Sequence, residues 1–150
     1  MKRLLAVVLC LFLPLTGLAA EGGYKVTYDG GSLPSVKAGS SMHLVIGQKD
    51  IQIGETVIPA LAVTEISYGQ DVHRRVGAAI GIGVFTLGVG ALMALTKSKK
   101  HFIGLTWVDG EKKGGFAMQC DKNEYRGILA GLEGITGKKS VNSETMTVKN

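Results

Sequence analysis

Alternation of apolar and polar positions marks most of this chain as short β-strands. Tyr24, Val26 and Tyr28 alternate with polar residues as far as Asp29-Gly30-Gly31, the pattern of a half-buried strand and its break. A loop containing Gly and Ser follows from Ser32 to Ser40. Met42, Leu44 and Ile46 repeat the alternation. Gly47-Gln48-Lys49-Asp50 reads as a turn, and Ile51 and Ile53 resume the same face, so a hairpin is predicted. Val57-Ile58 runs into Pro59, which confines that strand to an edge or an end. Thr64, Ile66 and Tyr68 share one face of a further strand. Ile103, Leu105 and Trp107 define another, and Phe116, Met118 and Cys120 a last one beyond the Asp109-Gly110 turn. One helix closes the pattern, because Tyr125, Ile128, Leu129, Leu132 and Ile135 recur at spacings of three and four. Asp121 is placed as its N-cap, with Glu124 completing a capping box, and Gly137 as its C-cap. The polar stretch from Lys138 to Asn150 reads as a disordered tail.

The strand pattern is interrupted by Val76 to Thr96, VGAAIGIGVFTLGVGALMALT, 21 residues without a charge. As a continuous helix this run would reach roughly 31 Å, the thickness of a bilayer's hydrocarbon core. Arg74 and Arg75 precede it, and Lys97, Lys99 and Lys100 follow it. Cations on both flanks suit contact with anionic headgroups, each worth about 1 kcal/mol near a charged surface. Phe85 and Leu92 are the large apolar residues assigned to lipid. Gly77, Gly81 and Gly88 lie on one helical face, and Gly83 and Gly90 on a second with Ala79 and Ala94. Gly77-x-x-x-Gly81 is the close-approach spacing of packed membrane helices.

Three arrangements of this run compete: a single transmembrane helix, a helical hairpin or re-entrant loop, and a buried or peripheral helix. A single span would place residues 21–75 and 97–150 on opposite sides of the membrane, and the strands could not pair. A re-entrant backbone needs cover from protein or water, which implies oligomers. Twenty-one uncharged residues are long for a buried helix in a domain this small.

The amino terminus has the form of a secretory signal. Lys2 and Arg3 precede an apolar stretch from Leu4 to Leu15, and small residues follow at Gly17, Ala19 and Ala20. Residues 1–20 are therefore assigned to export. Removing them takes the formal charge from +5 to +3 and leaves Cys120 as the one cysteine, so no internal disulfide forms. The remaining positive charge gathers beside the apolar run and does not form a nucleic-acid stripe.

The segments LVIGQKDIQIG, VIPALAVTEISYG, HFIGLTWVDG, GGFAMQC and DKNEYRGILAGLEGITG together resemble the bacterial PH-like or GRAM-like domain family. The resemblance covers roughly residues 41–137 with the apolar run removed. It implies an α+β fold, a small antiparallel bent sheet or split barrel with a C-terminal capping helix; the inserted apolar helix or helical hairpin expected here departs from the family's pattern. It also implies a non-catalytic module for lipid, peptide or partner binding, with its domain over residues 22–137.

No catalytic signature accompanies this pattern. His43, His73 and His101 lack a second ligand at metal spacing, although His73 and His101 flank the run and could meet at its base. Cys120 alternates inward and reads as an inert buried thiol. Asp109 and Glu111 are turn residues, Asp71 is spaced for a local pair with Arg74, and Trp107 suits core packing or an interfacial anchor. No phosphate loop, nucleophile elbow or dinucleotide fingerprint occurs, so neither cofactor nor metal is expected. The sequence thus describes a non-catalytic, exported, membrane-associated adaptor of a bacterial envelope, partnered by a lipid bilayer and a protein. The alternative is a structural protein that self-assembles as a homo-oligomer through its glycine-rich helix faces.

Overall fold

The computed structural model describes residues 23–81 and 100–144. Eight strands form one sheet: β1 (Tyr24–Gly31), β2 (Ser41–Ile46), β3 (Asp50–Ile53), β4 (Thr56–Pro59), β5 (Val63–Tyr68), β6 (His101–Asp109), β7 (Lys112–Cys120) and β8 (Val141–Asn142). Two helices join it, α1 (Val72–Ile80) and α2 (Tyr125–Thr136). The strand order is β4-β3-β2-β1-β7-β6-β5-β8. Neighbours are antiparallel except β5 and β8, which run parallel.

This order forces the sheet to coil. In a flat sheet β4 and β5 would stand six strand spacings apart, about 29 Å. Only a single 3-10 turn, Ala60–Ala62, connects them, and four Cα steps reach at most about 14 Å. The two ends of the sheet must therefore curl toward each other. The core records the closure: Ile51, Ile53 and Ile58 from one end share a cluster with Val63, Ile66 and Leu105 from the other. Ile128 and Leu132 of α2, both fully buried, belong to the same cluster. Gly131 lets α2 approach β2, since a Cβ there would lie 2.9 Å from Ile46 Cδ1.

The opposite face of the central strands holds α1. Val72 and Val76 pack with Phe102 and Ala117, and Ile80 adds its edge. Burying each valine contributes about 1.5–3 kcal/mol. The approach is close because β6 and β7 offer glycines: a Cβ on Gly104 would lie 2.5 Å from Val72 Cγ1 and 2.7 Å from Val76 Cγ2.

These findings correct the expected architecture. The sheet is mixed and eight-stranded, not a small antiparallel sheet or split barrel bearing an inserted apolar helix or helical hairpin. Among the described residues no helix is long and apolar enough to cross a membrane, so the transmembrane helix is withdrawn. The physical reason lies at the start of the run. Val76 and Ile80 complete the apolar stripe that Val72 begins, and the polar positions of that helix are His73, Arg74 and Arg75. Gly81 then ends it in the left-handed conformation, φ 75°, with its N–H donating to the Gly77 carbonyl. Residues 82–96 of the run, and 97–99 after it, lie outside the described residues.

Two local expectations also change. Asp121 Oδ1 accepts the Asn123 N–H at 2.8 Å, forming a turn before α2, and Glu124 occupies the N-cap position without a side-chain cap bond. Within the stretch from Lys138 to Asn150, expected as a disordered tail, Val141–Asn142 adds β8 to the sheet, and residues 145–150 lie outside the described residues. The Ser143 N–H donates to the Tyr68 carbonyl at 2.8 Å, and Ser143 Oγ accepts the Asp71 N–H at 3.2 Å.

Candidate functional site

A polar site lies on the same sheet face as α1 and extends past the start of that helix. In β1 the pairing with β7 shifts register between Tyr28 and Gly30, leaving Asp29 out of the ladder. Its carboxylate is 4% exposed and pairs with His73 Nε2 on α1. Burial raises the Asp29 pKa above 3.8, while His73 and Lys100 pull it back down. The His73 ring meets Phe102 edge-on, 5.3 Å between centroids. Further along α1, Arg75 donates to both oxygens of Glu65 on β5 at 2.9 and 3.0 Å. That bond raises the arginine pKa further. The pair is partly exposed and contributes at most about 1 kcal/mol, but it fixes the helix on the sheet.

Beside Asp29 the three central strands open into a cleft of about 540 Å³. Its floor carries Thr27 of β1 and Gln119 of β7, which are paired in register, and Gln119 is paired in turn with Phe102 of β6. Gln119 Oε1 is buried and takes no hydrogen bond among the described residues. Lys25, Lys100 and Lys122 supply positive charge around the opening; Asp121 and Glu124 supply negative charge. Cys120 adjoins the cleft, but burial and the nearby Glu124 push its thiol up to about 12. A thiol in that state is no nucleophile at neutral pH.

The residues assigned from sequence separate into three groups. Arg74 is exposed, Arg75 is committed to Glu65, and Lys100 lines the cleft. Gly77 is buried and Gly81 is a helix C-cap, so their expected packing face is already covered and ends there. Phe85, Leu92, Lys97, Lys99, Gly83, Gly88 and Gly90 lie outside the described residues. His73 and His101 do not meet. His73 faces Asp29, whereas His101 projects to the other side of β6 and stacks on Tyr125, with centroids 4.0 Å apart. No Asp71–Arg74 side-chain pair forms among the described residues. Trp107 packs at the edge of the main core, 5.9 Å from the Phe116 ring centre.

Sequence reading missed Asp29, Lys25, Thr27 and Gln119. Their signal was the polar half of an alternation assigned to solvent. Pairing three strands gathers those polar positions on one face. Among the described residues no cluster of three or more metal-ligating side chains occurs. Comparison of the chain with protein-family models and with curated proteins finds no match.

Proposed function

We propose that this chain is a non-catalytic binding module, exported to a bacterial envelope and associated with the membrane surface. A strongly bent sheet closed by a C-terminal helix supports the resemblance to PH-like or GRAM-like domains. The observation that carries the membrane reading is the pairing of β5 with β6, Ile66 opposite Leu105. The strands on either side of the uncharged run therefore belong to one folded body. Basic Arg74 and Lys100 stand near the two ends of that run, and its composition suits lipid contact.

Liposome flotation of the chain without residues 1–20 tests the proposal. A variant in which a glycine/serine linker replaces residues 82–99 keeps Val76 and Ile80, which α1 needs. The intact chain should float with anionic vesicles and the variant should remain with the soluble fraction. Equal behaviour of the two removes the membrane reading.

A further inference from the structure

We propose that the cleft on β1, β7 and the start of β6 takes a phosphoethanolamine-type group: one phosphate and one primary ammonium joined by two carbons. This rests on the membrane reading above and specifies the headgroup chemistry.

The strand register places both signs of charge side by side. Cys120 pairs with Val26 on one side and with His101 on the other. Beside these positions stand Lys25 in β1 and, just beyond the ends of β7 and β6, Asp121 and Lys100. At about 4.8 Å between strands, the two lysine positions lie about 10 Å apart with an acidic position between them. Lys122 and Glu124 repeat the two signs at the rim. An anion alone would find cations here but would also face two carboxylates. A cation alone would face three lysines. A ligand carrying both charges matches the site.

Gln119 decides which cation. Among the described residues its buried Oε1 has no donor, and a ligand supplying an N–H or O–H would satisfy it. An ionised phosphate oxygen cannot donate to it. A primary ammonium has three donors, whereas a trimethylammonium has none. The site thus distinguishes ethanolamine from choline at equal net charge. Its position suits a membrane-borne ligand, because Lys100 follows the end of the apolar run at Thr96 by four residues, at most about 14 Å of chain.

The test compares vesicles of phosphatidylcholine alone with vesicles in which half is replaced by phosphatidylethanolamine or by phosphatidylglycerol. Free phosphoethanolamine and free phosphocholine serve as competitors. Binding should be about tenfold tighter with phosphatidylethanolamine than with phosphatidylcholine alone. Free phosphoethanolamine should compete and phosphocholine should not. Gln119→Leu should abolish the preference. Lys25→Gln with Lys122→Gln, both at exposed positions, should weaken phosphoethanolamine binding without unfolding the chain. Equal binding to all vesicles, or a preference for phosphatidylglycerol, overturns the ligand assignment and leaves the membrane reading standing. Saturable binding of free phosphoethanolamine with no vesicle binding supports the site and overturns the membrane reading. No binding to any probe overturns both.

Discussion

Ile66 of β5 stands opposite Leu105 of β6 in one antiparallel ladder, although the entire apolar run lies between them in sequence. Both side chains are fully buried in the main core. The described strands thus make this ladder and the core around it with their own residues. Replacing residues 82–99 with a glycine/serine linker should leave the fold intact. Even a twofold change in loop length alters closure entropy by only about 0.6 kcal/mol. Urea unfolding monitored by Trp107 fluorescence checks this. A collapse of the cooperative transition would show that the run holds the strands together.

Gly104 and Gly134 should respond to alanine in opposite directions. A Cβ at Gly104 meets Val72, Val76 and the Ser67 hydroxyl within 2.7 Å, so α1 must shift. Gly104→Ala should lower stability by about 1–3 kcal/mol, as overpacked sites do. Gly134 lies within α2, and among the described residues a Cβ there would meet nothing within 4 Å. Gly134→Ala should add about 0.5–1 kcal/mol by helix propensity. Denaturant midpoints of the two variants measure both effects. A stabilised Gly104→Ala variant would contradict the packing of α1 on β6.

Asp29 should impose a pH dependence on stability. Its folded pKa is raised by burial, against the pull of His73 and Lys100. A raised acid binds its proton more tightly in the folded state. Its stabilising contribution is full below the ordinary 3.8 and is lost as pH rises through the folded value. The stability of the natural chain minus that of Asp29→Asn should therefore fall with rising pH in that window. The slope is at most about 1.4 kcal/mol per pH unit. Urea titrations from below 3.8 up to the onset of ordinary imidazole titration read the difference. A constant difference across that window would refute the buried carboxylate.

The strand pattern was legible because each strand buries only one face in the main core. Met42, Leu44, Ile103, Leu105, Phe116 and Met118 announce their side by alternation alone. The helix α2 was legible for the same reason at a different period, as was Gly137 at its end. Apolar content misled at Val76 and Ile80. Counting uncharged residues hides the fact that these two complete a stripe with Val72, and the charged positions of that helix lie outside the counted window. Val141–Asn142 was invisible because a two-residue strand owes its place to the vacant edge of β5 and to the Ser143 contacts, not to its own sequence. The cleft was illegible for a third reason. Thr27 and Gln119 are ordinary polar residues until strand register sets them side by side, and register belongs to the pair of strands rather than to either one.

Cys120 should be inert in the folded chain. Its thiol is buried beside Met118 and Phe116 in the core, and it is pushed up to about 12 by burial first and by Glu124 second. At a pKa near that value the thiolate fraction at pH 8 is about one in ten thousand, against roughly a quarter for an unperturbed thiol. Iodoacetamide labelling of the folded chain should therefore run at least about a thousandfold slower than labelling in guanidinium, and burial of the sulfur slows it further. Labelling that does occur should track unfolding, so Gly104→Ala should accelerate it and Gly134→Ala should slow it. Mass spectrometry of the tryptic peptide containing Cys120 follows all three rates. Rapid alkylation of the natural chain under folded conditions would place the sulfur in the open cleft and contradict the core assigned to β7.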